Sequence, residues 1–302
     1  MCGNQRERGE GNVARLNSLF GSHGEYTDTS IYGEYRAVER LAGGRLSTLY
    51  RGEHVQTREV VAVKVLSDYG CQVANKLTQR LGKPWEGERA SKLQHPNVVR
   101  TLAYGKAHDR YYIVMEYLPG GNLAGLLQMH SPAVEGRKIE TMRQAARGLE
   151  YVHSRGVIHR DISPRNVMLA ADGTAKLIDF GVSISKADVV LKRGLRTGRP
   201  GYMAPELIRD YKYNESTDIY AFGVSLYYVA TGQPPRQTSE DPFEALAMVL
   251  NTPIPPPRSV RPTISPRLEK IILRAMEPHP FARYPSVTRL LDDLLGVTDA
   301  DL

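Results

Sequence analysis

Cysteine is nearly missing from this chain of 302 residues; Cys2 and Cys71 are its two. Two cysteines cannot build a disulfide framework, so a reducing, cytoplasmic setting is the expectation. Long apolar runs are also missing, which excludes a membrane-spanning helix. The first residues, MCGNQRERGEGN, lack the apolar stretch of a secretory signal. Cys2 there reads as a solvated terminal residue rather than a lipid attachment point. No internal repeat is present, which argues against solenoids and propellers. A basic terminal arm is absent too: residues 1–33 set Arg6, Arg8 and Arg15 against Glu7, Glu10, Glu25 and Asp28. That stretch is rich in Gly, Ser, Asn and Thr without periodicity, and reads as a flexible tail.

What is present is ordinary for a globular protein, with 41% hydrophobic and 24% charged residues. The net charge is +7. A good part of the excess lies in 182–203, where Lys186, Lys192, Arg193, Arg196 and Arg199 face Asp188 alone. Charge is the sole ground for a nucleic-acid binder, and no nucleic-acid or membrane partner is expected.

From Glu34 to about Tyr117 strand signals dominate. Tyr35–Leu41, Leu49–Val55, Glu59–Leu66, Val98–Tyr104 and Tyr111–Tyr117 are rich in Val, Tyr and Ile. One helical stretch, Val73–Leu93, interrupts them. After Asn122 helices take over: Ile139–Ser154, a nearly all-apolar Asp218–Ala230, Pro242–Leu250, Pro266–Met276 and Ser286–Leu295. Pro253–Pro262 reads as a stiff loop. A small β-rich region precedes a larger helical one, an α+β pattern.

The chemistry sits at three places. Val61-Ala62-Val63-Lys64 puts a lone cation on a strand, sharing a face with Ala62 and opposing Val63 and Val65. An inward Lys and an exposed strand Lys are equally open readings. A buried Lys needs an anion, and Glu86 or Glu88 could supply it. Glu86 stands seven residues before Leu93 on one helical stripe and is preferred. His159-Arg160-Asp161 with Asn166 five residues beyond Asp161 offers a proton acceptor and a metal-ligating amide. Asp179-Phe180-Gly181 offers a second carboxylate at a strand end, suited to Mg²⁺.

In this order the motifs resemble the eukaryotic-type protein kinase family, from about Tyr32 to Leu295; these motifs are themselves an example in general accounts of kinase sequences. The resemblance implies a bilobal fold: an N-lobe at 34–115 with one regulatory helix, a hinge at 116–121, a mainly helical C-lobe at 122–296 and a C-terminal tail at 297–302. It implies ATP and Mg²⁺ as cofactors and a protein substrate, possibly acidic near its phosphosite. Lys64 matches the phosphate-binding Lys and Glu86 its partner. Asp161 matches the catalytic Asp; Asn166 and Asp179 match the metal ligands. Met115 matches the gatekeeper, with Glu116 and Leu118 as backbone partners of adenine. Leu49, Ala62 and Met168 would sandwich the ring, and Asn122 would lie near the ribose. Leu41, Gly43 and Gly44 belong to the phosphate loop. Ala204-Pro205-Glu206 matches the end of the activation segment, and Arg283 the partner of Glu206.

Several positions depart from the family. The phosphate loop has Ala42 and Ser47 where the outer glycines belong. Ser163 replaces the catalytic-loop Lys of Ser/Thr kinases, and Arg165 falls where tyrosine kinases carry Arg. Pro164 and Gly201–Glu206 resemble the Ser/Thr branch, which is the expected function. The alternatives are a pseudokinase acting as a nucleotide-binding scaffold and a small-molecule kinase. Arg199 lies seven residues before Glu206, where the family carries a Thr that touches the missing Lys. The expectation is that Arg199 restores the lost cation; the competing reading leaves it facing solvent or an acidic substrate. Autophosphorylation is expected among Ser183, Ser185 and Thr197, with Thr197 first.

Overall fold

The computed structural model describes residues 31–81, 85–186, 199–209, 213–237, 239 and 241–302. The chain divides into two compact units. One runs to Lys92 and resumes at Arg100–Tyr117; the other holds Leu93–Val99 and Leu118–Leu302.

The first unit is one antiparallel sheet. Its strands are β1 (Ile31–Tyr32), β2 (Tyr35–Gly43), β3 (Ser47–His54), β4 (Val60–Leu66), β5 (Thr101–Ala107) and β6 (Arg110–Glu116), in the order β1-β2-β3-β4-β6-β5. Helices α1 (Asp68–Leu81) and α2 (Glu86–Ala90) interrupt the strand sequence. Alternation along β4 buries Val61, Val63 and Val65 on one face, with Ala37, Tyr112 and Val114. The opposite face of β4 carries Ala62 and Lys64. Register sets Leu49 beside Lys64 and Met115 beside Ala62. Directly opposed residues share a sheet face, so these four side chains line one surface.

In the second unit α3 (Leu123–Gln128) and α4 (Lys138–Ser154) precede four short strands: β7 (Val157–Ile158), β8 (Val167–Leu169), β9 (Ala175–Leu177) and β10 (Ile184–Ser185). Then come α5 (Pro205–Arg209), α6 (Glu215–Thr231), α7 (Pro242–Asn251), α8 (Pro257–Val260), α9 (Pro266–Ala275) and α10 (Val287–Leu294). Helix α6 is the axis of the core and buries every residue from Thr217 to Tyr227. The Asn214 side chain caps its start by accepting from the Thr217 N–H, and Gly232 at φ 79° ends it.

Several boundaries differ from the sequence reading. The helix expected over Val73–Leu93 is two helices, α1 and α2. The strand expected to start at Val98 starts at Thr101, because Asn97–Val99 bond to β9 instead: Val99 N–H donates to the Leu177 carbonyl at 2.9 Å. The tail expected over 1–33 already pairs at Ile31 and Tyr32 with β2; residues 1–30 lie outside the described ones. The expected C-terminal tail is part of the fold. Val297 is fully buried, and Asp299 takes the Lys138 and Ile139 N–H groups, both at 2.8 Å. A helix start leaves such N–H groups without partners and favours a carboxylate there. The stiff loop Pro253–Pro262 contains the short helix α8.

Candidate active site

The first unit holds Lys64, Glu86 and the loop between β2 and β3. Lys64 Nζ reaches Glu86 Oε1 at 2.7 Å, and both side chains are largely buried. Glu88 pairs instead with Lys92 at 3.2 Å on the surface. The stripe argument for Glu86 does not describe the molecule, since α2 ends at Ala90 and Leu93 lies beyond it. Both carboxylates stand in the first turn of α2, and what distinguishes Glu86 is burial beside Lys64, with its side chain 12% exposed against 40% for Glu88.

The β2–β3 loop is fastened in a way no motif announced. Ser67 N–H donates to the Leu46 carbonyl at 2.9 Å, and its hydroxyl donates to the Arg45 carbonyl at 2.7 Å. The Arg45 guanidinium lies 4.2 Å over the Tyr69 ring. A Cβ on Gly70 would stand 2.0 Å from the Leu46 carbonyl oxygen, so that position needs glycine for close approach. Within the loop, Gly44 N–H bonds to the Ser47 carbonyl, and Gly43 and Gly44 are exposed. Leu41 is half-buried on β2. Glu116, at the end of β6, bonds through its own N–H and carboxylate to the Arg100 backbone.

The second unit holds the carboxylates. Asn166 Nδ2 donates to both the carbonyl and Oδ2 of Asp161, each at 2.7 Å. Asp161 Oδ1 is buried and finds no hydrogen-bond partner among the described residues. The loop is fixed from beneath by Asp218, which accepts the N–H groups of His159 and Arg160 and the His153 ring, each at 2.8 Å. Burial alone would raise the Asp218 pKa. The His153 hydrogen bond and charge, the His159 charge and the Arg160 N–H outweigh it and hold the carboxyl below its ordinary value. Sequence reasoning placed Asp218 at the head of an apolar helix but missed His153, whose only signal was a polar residue on the apolar stripe of α4.

Asp179 adopts φ 65°, and its Oδ1 accepts the Gly181 N–H at 3.2 Å. The Asn166 carbonyl holds the Ile178 N–H at 3.0 Å, tying the two loops together. Phe180 is buried against the His159 ring. Leu118 is buried in this unit, the Asn122 side chain caps α3, and Asn122 bridges Met168 on β8.

Of the activation-segment residues, Lys192, Arg193, Arg196 and Thr197 lie outside the described ones. Ser183 is buried and its hydroxyl donates to the Phe180 carbonyl at 2.8 Å, which argues against it as a phosphorylation site. Arg199 Nη1 donates to Ser163 Oγ at 3.2 Å, and Nη2 lies 4.0 Å from Asp161 Oδ2. Arg283 holds both oxygens of Glu206, at 2.6 and 2.7 Å.

A protein-family model described as the protein kinase domain matches residues 35–294. The chain belongs to that family. Its relatives include serine/threonine-protein kinase 1 of Arabidopsis thaliana, 36% identical over 74% of this chain and 26% of that protein. PknD of Mycobacterium tuberculosis is 31% identical over 85% of this chain and 38% of its own length. The pkn3 kinase of Myxococcus xanthus is 32% identical over 90% of this chain and 51% of its own. This protein kinase chain thus spans between about a quarter and half the length of these curated relatives. No helix among the described residues is long and apolar enough to cross a membrane.

Proposed function

We propose that this kinase transfers the γ-phosphate of ATP to serine and threonine hydroxyls of proteins. The observation that carries the reading is the state of Asp161. Asn166 holds one carboxylate oxygen, while the other is buried and without a partner among the described residues. A buried acceptor without a donor is costly, and a substrate hydroxyl is the donor that would satisfy it. The bond from the γ-phosphorus to the β-phosphate oxygen breaks as the hydroxyl oxygen bonds to phosphorus. The hydroxyl proton passes to Asp161, and ADP leaves.

Lys64, kept inward by Glu86, would hold the α- and β-phosphates, over a loop built from Leu41, Gly43 and Gly44. Leu49, Ala62 and Met115 give the apolar surface beside Lys64 that an adenine ring needs; the family resemblance alone adds Glu116, Leu118, Asn122 and Met168 as proposed nucleotide contacts. Asn166 and Asp179 would carry Mg²⁺. Amide and carboxylate oxygens are the hard donors that Mg²⁺ takes, and it completes its shell with phosphate oxygens and water. The described residues include no group of three or more His, Cys, Asp or Glu able to hold a metal. Such a pair therefore suits a cation that comes with the nucleotide and neutralises its phosphate oxygens.

The Ser/Thr branch draws support from Pro164, from Gly201–Glu206 and from the relatives' own descriptions. Exposed Arg165 supports an acidic residue near the phosphosite. Autophosphorylation at Thr197 follows from its basic neighbours Arg196 and Arg199. The scaffold alternative rests on Ser163 and the reduced loop glycines; Arg199 beside Ser163 weighs against the first ground. The test is incubation with radiolabelled ATP, Mg²⁺ and a generic acidic protein, followed by phosphoamino-acid analysis. Label on phosphoserine or phosphothreonine is expected. No label, or label on tyrosine alone, refutes the reading.

A further inference from the structure

The transferring phosphoryl group carries negative charge, and a site that handles it works by placing cations where that charge develops. In the second unit Ser163, two residues past Asp161, contributes only a neutral hydroxyl and is 1% exposed. Among the described residues, Arg199 is the cation within 4.0 Å of the Asp161 carboxylate. Its guanidinium spans the two groups, bonded to Ser163 Oγ through Nη1 and facing Asp161 Oδ2 through Nη2.

The 4.0 Å separation is too long for a hydrogen bond and, at 39% exposure of the Arg199 side chain, brings little stability. Pairing with Asp161 alone therefore does not account for the placement. A guanidinium carries five N–H donors and never loses its charge near neutral pH. Ser163 takes one donor, which leaves others for an anion. Asp161, Arg199, Tyr202 and Leu207 line the same small cavity, so the guanidinium and the carboxylate face one space. Burial pushes the Tyr202 hydroxyl up to about 12, with Tyr228 adding to it, so this hydroxyl adds no negative charge near neutral pH.

The backbone that delivers Arg199 is fixed. Tyr202 N–H bonds to the Arg199 carbonyl at 2.9 Å, Met203 N–H to that of Pro200 at 3.1 Å, and α5 follows with Glu206 clamped by Arg283. We infer that Arg199 is a catalytic residue that binds the transferring phosphoryl group, supplying from the activation segment a cation beside Ser163, whose own side chain is neutral. This inference rests on the kinase reading. It has a regulatory consequence: competence for transfer requires the segment that ends at Glu206 to be in place.

The test uses the full chain and four proteins: wild type, Arg199→Thr, Ser163→Lys and the double variant. Each is measured for kcat and KM and for affinity toward ADP and a non-hydrolysable ATP analogue. Arg199→Thr is expected to lower kcat about tenfold or more and to weaken the ATP analogue more than ADP. Ser163→Lys in that background should restore most of the loss, a coupling that independent sites would not show. In a variant that still binds ADP, unchanged kcat, strictly additive effects, or equal weakening of ADP and analogue overturns the inference. ADP affinity reports folding; should Arg199→Thr lose it, Arg199→Lys decides, and activity no better than one-tenth of wild type there overturns the inference. A wild type that binds nucleotide but transfers no phosphate refutes the kinase reading instead, and the ADP-against-analogue comparison still judges Arg199.

Discussion

Glu206→Gln tests the energetics of the second unit most sharply. Arg283 is completely buried at its side chain and uses its donors fully. Nε donates to the Glu277 carbonyl at 2.7 Å, Nη1 to Glu206 Oε1 and the Ser216 carbonyl, and Nη2 to Glu206 Oε2 and the Pro278 carbonyl. Glutamine keeps the size of Glu206 and removes its charge. It also turns one of the two accepting oxygens into a donor that faces the guanidinium. The result is a buried cation without compensation, which costs about 3–5 kcal/mol. A unit of this size loses about 2–4 °C per kcal/mol, so the midpoint should fall by about 6–20 °C. The assay is calorimetric unfolding at several scan rates. The paired change Glu206→Leu with Arg283→Met removes both charges and should cost less than Glu206→Gln alone. A Glu206→Gln protein within about 1 kcal/mol of wild type refutes the reasoning, as does a double variant worse than the sum of its parts.

Three further outcomes follow from single contacts. Gly148→Ala puts a Cβ 2.3 Å from the Asn97 backbone carbonyl oxygen, and chemical denaturation should show about 1–3 kcal/mol of lost stability. Asp218 has a folded-state pKa below its unfolded value, so its stabilisation is full above about pH 4 and fades as pH falls below that. Wild type should therefore lose stability more steeply than Asp218→Asn below about pH 4 in urea titrations, and parallel curves would refute the assignment. Lys64→Met leaves Glu86 without its cation and should raise the ATP KM and cut kcat/KM by about a hundredfold; steady-state kinetics at varied ATP decide it.

Local patterns were legible wherever one residue's neighbours in sequence are also its neighbours in space. Period-two alternation along Val60–Leu66 gave the two faces of β4, and the apolar run from Asp218 to Ala230 gave the buried axis of the second unit. The carboxylates of the second unit were visible for the same reason, since Asp161 and Asn166 are five residues apart and bonded. Long-range contacts were not legible. Asp299 caps α4 from more than 150 residues away, so nothing near it in sequence marks it as more than a tail residue. Ser67 and Gly70 fasten the β2–β3 loop from beyond β4, and neither stands in a recognisable pattern. The break between α1 and α2 had a signal that the sequence reading passed over, since Gly82 and Pro84 stand between them and both commonly end a helix. Strand β5 began late because Asn97–Val99 found a better backbone partner in β9, a competition that propensity cannot register.

The central claim is that Asp161 receives the proton of a protein hydroxyl while the other groups position ATP. The direct measurement is phosphate transfer by Asp161→Asn beside its nucleotide affinity. Asparagine keeps the size of the side chain and the contact with Asn166 but cannot take a proton at neutral pH. The expected result is ATP-analogue affinity within about threefold of wild type and transfer reduced by about 10²–10⁴. An Asp161→Asn protein that binds the analogue and transfers phosphate at the wild-type rate contradicts the account.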